Sequence, residues 1–295
     1  MLISVIIPTY NKKSLLLKTL KCLERQTLPK NLYEILIIDD GSTDGTDGQI
    51  KKYAGENKNV KYFKKPHSGP GDSRNLGLKH ARGEIIAFTD DDCVVPGKWL
   101  TNIRNSFLKN QGIAGIEGKT LTFFRHISPL THQVINTYSH GIFPTCNMAY
   151  KKDILKKIGG FDKIFKHPHD EDIDLAWNAL KYGEIIFDEA VIIIHPAYRR
   201  GILKKLLWTC HFKYEFTLYN RHKELYKKFI GANPWITIYI NSYLKYNLTL
   251  LRKYIKNNKT RLASLYSLKI IIFLLLQGLL LIALAPYFLY WRKNK

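Results

Sequence analysis

The chain has 295 residues, 45% of them hydrophobic, and its 46 lysines and arginines outnumber 24 aspartates and glutamates to leave a net charge of +22. That length and apolar content exclude a disordered chain or a mini-protein and suffice for one large core or two modest ones. An even basic excess would suggest nucleic acid, but after His195 there are 19 basic residues against two acids, Glu215 and Glu224, so the excess belongs to the last third.

Residues 3–7, 35–38, 60–63 and 84–88 are β-branched apolar runs, with helical patterns at 14–26, 46–53 and 72–81 between them. Such alternation predicts βαβ units and a mainly parallel sheet. The opening apolar run, 2–8, is too short for a secretory signal and has no charged lead. The third helix follows Gly69, Pro70 and Gly71, with Asp72 or Ser73 as its expected cap. Strands are expected near 115–124 and 147–150, a short helix near 153–158 and another after Asp170. Cys22, Cys93, Cys146 and Cys210 are scattered and read as packing residues, not as a disulfide frame or zinc site.

Beyond Arg199 the chain becomes basic and aromatic, as in Arg200, Lys204, Lys205 and Trp208, which suits helices on a bilayer surface. The uncharged stretch 229–244 is interrupted by Asn233, Pro234 and Asn241, and is either interfacial or a second membrane segment reaching to about 251. Residues 270–291 carry no charge and would span about 33 Å as a helix, close to the ~30 Å hydrocarbon core. Only Gln277 interrupts that run before Pro286, and Tyr287, Tyr290 and Trp291 stand where an interfacial aromatic belt would. The expectation is one C-terminal transmembrane helix.

Open parallel sheets bind ligands at the carboxyl ends of their strands, where strand order reverses. Residues 8–11, 39–41, 67–71 and 90–92 all fall at such ends. Asp90, Asp91 and Asp92 repel one another, and a divalent cation with hard oxygen ligands, Mg2+ or Mn2+, relieves the repulsion. The turn at Gly41 leaves Asp40 free to accept hydrogen bonds from a base edge. Arg74, in the helix behind the glycines, can face a pyrophosphate together with exposed amides. Asp170, Glu171, Asp172 and Asp174 crowd one helix start beyond what the helix dipole uses, and their repulsion raises at least one pKa, which suits a general base acting on a sugar hydroxyl. His167 and His169 have a spacing open to a metal or simply to solvent.

In chain order, Ile3 through Asn11 with Pro8, Thr9 and Tyr10, then Asp39-Asp40-Gly41-Ser42, Ser73-Arg74-Asn75, Asp90-Asp91-Asp92, Gly159-Gly160-Phe161-Asp162 and Glu171-Asp172-Ile173-Asp174 follow the motif series of inverting family 2 glycosyltransferases. The chain resembles that family over about residues 1–195. The resemblance implies a GT-A fold, a nucleoside-diphosphate-sugar donor and Mg2+ or Mn2+. It implies that Pro8 and Tyr10 lie against the nucleoside, Asp40 holds the base and Arg74 approaches the nucleotide. Asp90 and Asp92 match the outer carboxylates of a DxD motif that holds the diphosphate and metal, with Asp91 between them on the donor. Glu171 and Asp172 match the acidic pair, with Asp172 the catalytic base. His195 closes the last strand and is either a metal or phosphate contact or a structural histidine. Asn178 stands where the family often has arginine, and no Gln-x-x-Arg-Trp pattern is present, so processive synthesis is not expected.

These readings give an α/β fold with a mainly parallel central sheet flanked by helices, in three parts: a catalytic domain at 1–198, a basic amphipathic helical region at 199–268, and a membrane helix with a short basic tail at 269–295. The expected activity is single-sugar transfer to a hydroxyl of a lipid-linked glycan or glycolipid at the cell membrane, with the catalytic domain facing the cytoplasm, where donors are supplied. Two alternatives are a polyprenyl- or dolichyl-phosphate sugar synthase and a basic binding protein without catalysis. No nucleic-acid partner is expected, because the basic residues flank an apolar run of membrane length.

Overall fold

The computed structural model describes residues 1–123, 128–245, 247–249, 252 and 261–294. It divides into two compact units, Met1–Thr122 with Val134–Pro196, and Phe123–Gln133 with Ala197–Lys295.

The first unit runs β1 (Ile3–Thr9), α1 (Lys13–Glu24), β2 (Tyr33–Asp39), α2 (Thr46–Glu56), β3 (Val60–Lys64), α3 (Pro70–His80), β4 (Ile85–Phe88), α4 (Trp99–Lys109) and β5 (Gly115–Leu121). After β6 (Thr131–His132), which belongs to the second unit, come β7 (Met148–Lys151), α5 (Lys152–Lys157), α6 (Glu171–Ala179) and β8 (Ile185–Ile194). Seven strands form one sheet in the order β3-β2-β1-β4-β7-β5-β8. β7 runs against both of its neighbours, and the other adjacent pairs are parallel.

Helices cover both faces of this sheet, which is why its central strands read as unbroken apolar runs. Ile3, Val5 and Ile7 of β1 join Leu16, Leu20 and Leu23 of α1 and Trp99, Ile103 and Phe107 of α4 in the main core. Ile6 points the other way, against α3, where a Cβ at Gly77 would come within 2.5 Å of Ile6 Cγ2. Each fully buried aliphatic contributes roughly 1.5–3 kcal/mol. β1 lies between β2 and β4, so strand order reverses there.

Three sequence expectations shift. α3 begins at Pro70 with Gly69 as its N-cap residue, not at Asp72 or Ser73, because Gly69 takes φ +101° and proline is pre-set for the first helical position. β5 ends at Leu121 instead of continuing toward 124: its partner β8 closes at Ile194, just before Pro196, and residue 124 lies outside the described residues. Helix α4 goes unread in the sequence, although Trp99, Ile103 and Phe107 recur at helical spacing on its buried face.

In the second unit β6 pairs antiparallel with β9 (Tyr198–Arg199). Helices α7 (Ile202–Trp208), α8 (Lys213–Arg221) and α9 (Lys223–Phe229) lead to a π-helical segment, Ile236–Lys245, and a last helix, Arg261–Asn294. Phe216, Ile238, Leu281 and Phe288 form one buried cluster, and Leu130, Ile270 and Phe273 another. Gln277 is buried, donating to Thr209 Oγ1 (3.3 Å) and accepting from Asn247 Nδ2 (3.2 Å). Among the described residues one helix, Ile270–Arg292, has the length and apolarity to cross a membrane. Of the second membrane segment expected near 229–251, residues 246, 250 and 251 lie outside the described residues, and the described part includes the π-helical segment Ile236–Lys245.

Candidate functional site

The reversal of strand order sets the carboxyl ends of β1 and β4 side by side, and the acidic turn after β4 is anchored there. Thr9, the last residue of β1, donates its hydroxyl to Asp91 Oδ2 (2.8 Å). Lys12, in the turn before α1, lies 3.0 Å from Asp91 Oδ1 and 2.8 Å from Asp92 Oδ2. Thr19 of α1 holds the turn's backbone by donating to the carbonyls of Asp91 (3.1 Å) and Cys93 (2.8 Å). Burial pushes the Asp91 carboxyl up to about 6, against the pull of Lys12. Burial alone would lower the Lys12 ammonium, but Asp91 and then Asp92 outweigh it and raise the ammonium well above its ordinary value.

The three carboxylates of the turn therefore diverge. Asp91 faces Thr9 and Lys12, Asp90 faces Arg74 (3.0 Å), and Asp92 lies between Lys12 and His195. His195, buried just past β8, brings Nε2 to 3.5 Å from Asp92 Oδ1 and 4.0 Å from Asp90 Oδ2. Asp92 Oδ1 is buried and accepts no hydrogen bond among the described residues. Cys93, a residue the sequence reading leaves to packing, has its thiol in the same cluster: one ligand atom each from Asp92, Cys93 and His195 lies within 4.8 Å of the others. The Asp90 and Asp92 carboxylates are hard oxygen ligands that suit Mn2+ or Mg2+, whereas the Cys93 thiol and His195 imidazole are softer donors, and a buried oxygen lacking a donor is what a bound ion would satisfy. Lys12 and Arg74 already offset part of the repulsion that the sequence alone assigns wholly to a cation.

Asp40 departs from its expectation. Its side chain is not free: Oδ1 accepts from the Ser68 amide (3.0 Å) and from Lys65 Nζ, while Oδ2 accepts from the Gly69 amide (2.9 Å) and lies 2.8 Å from His67 Nδ1. The β3–α3 loop folds back over the carboxylate because Gly69 adopts a left-handed conformation in which a Cβ would meet the Lys166 carbonyl oxygen at 2.5 Å. That loop also brings His67 onto Tyr10, the rings stacked with centroids 4.2 Å apart and planes 25° apart. Tyr10 is 44% exposed, so one aromatic surface at the end of β1 stays open. Pro8, partly buried in β1, pairs with Ile38.

Arg74 connects this edge to α6. Buried in α3, its guanidinium lies 3.0 Å from Asp90 and 3.2 Å from Glu171, and stacks 5.5 Å above the Phe161 ring. Both of its terminal nitrogens are thus engaged by carboxylates, although the sequence reading aims it at a nucleotide, and its buried Nε has no hydrogen-bond partner among the described residues. Although burial pushes the other way, Arg74, then His195 and Lys12, holds Asp90 below the ordinary carboxylate range. α6 starts behind Asp170, itself in a left-handed conformation (φ +66°), with Glu171, Asp172 and Asp174 in its first turn. Burial raises Glu171. Burial and then the charges of Glu171 and Asp170 push Asp172 up to about 8, with Arg74 opposing. Asn178 closes the local network, donating to Asp174 (3.3 Å) and accepting from Lys181 (2.8 Å).

The structure thus gathers Asp90, Asp91, Asp92, Arg74, Glu171, Asp172 and His195 through shared partners, with Pro8, Tyr10 and Asp40 at the neighbouring strand ends. Sequence reasoning overlooks Lys12 and Lys65, and places His67 at a strand end without giving it a role. The signal for Lys12 was available: a lysine right after Asn11, at the end of the first strand, on the edge that carries the acidic turn.

Residues 4–159 match the family model described as glycosyl transferase family 2. The glycosyltransferase AglE of Haloferax volcanii is 28% identical over 214 residues, 69% of this chain and 69% of that protein. The poly(ribitol-phosphate) beta-N-acetylglucosaminyltransferase TarS of Staphylococcus aureus is 40% identical over 163 residues, 52% of this chain but 28% of TarS. Several of the curated relatives are matched over less than a third of their own length. The crystal structure of TarS 1-349 has a TM-score of 0.63 at 21% identity, covering 87% of this chain and 81% of that one. Mannosyltransferase PcManGT from Pyrobaculum calidifontis, in complex with GDP-Man and Mn2+, has 0.61 at 18% identity, covering 95% and 84%. At these identities the likeness establishes the fold, a GT-A-like α/β architecture.

Proposed function

The chain belongs to glycosyl transferase family 2, and from that premise we propose that it is an inverting, non-processive enzyme that moves one sugar from a nucleoside diphosphate to a hydroxyl of a lipid-linked glycan or glycolipid. One observation carries the proposal. Arg74 joins the acidic turn after β4 to the acidic start of α6, so a carboxyl raised to about 8 stands beside the group of carboxylates that suits a diphosphate-bound cation. A phosphate acceptor is already anionic and needs no base, whereas a hydroxyl acceptor does, and the raised Asp172 supports the hydroxyl.

In this mechanism Tyr10, with His67 behind it, packs against the base, and the Asp40 loop holds the nucleoside side of the site closed. Asp90, Asp92 and His195 would hold Mg2+ or Mn2+, whose charge would offset the departing diphosphate. Ionised Asp172 accepts the acceptor proton as the hydroxyl attacks the anomeric carbon, and a single displacement inverts that centre. Arg74 keeps Asp90 ionised and holds Glu171 beside the base. The second unit attaches the enzyme to a membrane, which presents the lipid-linked acceptor; the catalytic unit faces the cytoplasm.

The test is Asp172→Asn, assayed with UDP, GDP and dTDP sugars against a glycolipid and against polyprenyl phosphate. Turnover on the glycolipid is expected to fall by about 10²–10⁴, with nucleotide affinity within about twofold of the parent. Normal turnover in Asp172→Asn would remove the base assignment, and transfer to polyprenyl phosphate alone would remove the hydroxyl acceptor.

A further inference from the structure

The helix Ile270–Arg292 has two unlike faces. Ile270, Phe273, Gln277, Leu281 and Phe288 recur near helical spacing and are buried. On the other side Leu275, Leu279, Ile282 and Tyr290 are each more than half exposed.

The buried face is occupied along its whole length by residues 202–220. Ile202 and Leu206 of α7 pack with Ile270 and Phe273, and Thr209 accepts from Gln277 (3.3 Å). Farther along, Phe216 packs with Leu281 and Phe288, and Thr217 Oγ1 accepts from Trp291 Nε1 (2.9 Å). Lys213 donates to the Tyr287 hydroxyl (3.0 Å) and sits 4.4 Å over the Trp291 ring. These partner helices carry Lys204, Lys205, Lys213, Glu215 and Arg221. A helix crossing the bilayer would leave Lys204, Lys205 and Lys213 near its two ends but would draw Glu215, which accepts from Tyr226 of α9 (2.7 Å), toward hydrocarbon depth, where charged groups are costly and rare.

We infer that this helix lies in the plane of the membrane surface instead of crossing it, its Leu275, Leu279 and Ile282 face sunk among the acyl chains of an anionic leaflet and α7–α8 above it in the headgroup layer. Leu203 and Leu207, one turn apart and exposed on α7, provide a second apolar contact, while Ile202 and Leu206 face the protein. Charge argues for an anionic lipid surface as the occupant: from Arg199 to Lys228 there are nine basic residues against Glu215 and Glu224. Apolar residues on one face and lysines around the other are what an interfacial helix assembly requires. The inference rests on the proposed membrane attachment and replaces the transmembrane helix expected from the sequence.

The full chain, with one epitope before Met1 and another after Lys295, is expressed in a bacterial host, and inside-out and right-side-out membrane vesicles are treated with protease. In-plane attachment predicts loss of both epitopes in inside-out vesicles and of neither in right-side-out ones. A C-terminal epitope cut only in right-side-out vesicles would overturn the inference and leave membrane attachment standing; a chain that does not sediment with membranes would overturn both. Leu279→Glu changes an exposed position and is expected to lower binding to phosphatidylglycerol-containing vesicles at least tenfold, with unchanged circular dichroism. Undiminished binding of this variant would overturn the assignment of the lipid-facing side.

Discussion

Replacing Arg74 with glutamine tests the charge balance of the site most directly. The guanidinium is buried and bridges Asp90 at 3.0 Å and Glu171 at 3.2 Å, so its loss strands two carboxylates that the fold has already desolvated. Removing one partner of a buried ion pair costs about 3–5 kcal/mol. For a unit of this size each kcal/mol moves Tm by roughly 2–4 °C, so a fall on the order of 10 °C is expected at pH 8. The dependence on pH has a definite sign. Glu171 and Asp172 have folded pKa values raised above their unfolded ones, so their contribution to stability is full at low pH and is lost as pH rises through the folded values. Arg74 opposes that loss for both. Its removal should therefore destabilise most near pH 8 and by less at lower pH, where the raised Glu171 and Asp172 carboxyls carry less charge for Arg74 to offset. Thermal unfolding of parent and Arg74→Gln across pH 5–8.5, followed by tryptophan fluorescence in detergent, gives the comparison. An equal deficit at every pH would refute the reasoning and transfer the role of Arg74 to its packing on Phe161.

Other consequences are as direct. If Asp172 is the base, kcat/KM should rise with pH and level off above about 8, because only the ionised carboxyl accepts a proton, while stability changes in the opposite direction; a flat profile from pH 6 to 9 would exclude it. Lys12→Met should lower Tm without metal, since Asp91 and Asp92 lose their shared cation, and Mn2+ should restore more of the loss than it adds to the parent; an equal metal effect in both would argue against an ion beside Asp92. Tyr10→Ala removes the exposed ring at the end of β1 and should weaken nucleoside-diphosphate binding by roughly tenfold, from about 1–3 kcal/mol of stacking, as read by calorimetry.

The parts of the site that could be read from the sequence are those set by strand ends. β-Branched runs locate β1, β2 and β4, and a parallel sheet then fixes where residues 8–11, 39–41 and 90–92 emerge, so the carboxylates fall on one edge before any contact is known. The crowding of Glu171, Asp172 and Asp174 behind Asp170 likewise predicts a raised carboxyl from composition and helix position alone. What escaped are partners supplied by residues distant in sequence and ordinary in appearance. Lys65 and the Ser68 amide engage Asp40 only because Gly69 bends the loop, and a lysine in a basic chain gives no sign of it. Arg74 was visible as a cation, but its orientation toward Glu171, 97 positions away, depends on how α3 and α6 meet. The apolar run 270–291 shows the same limit from the other side. Hydropathy reports that the helix avoids water, but lipid and protein are equivalent to that measure, and the line of contacts from Ile202 to Thr217 is what distinguishes a face packed on charged helices from one left exposed.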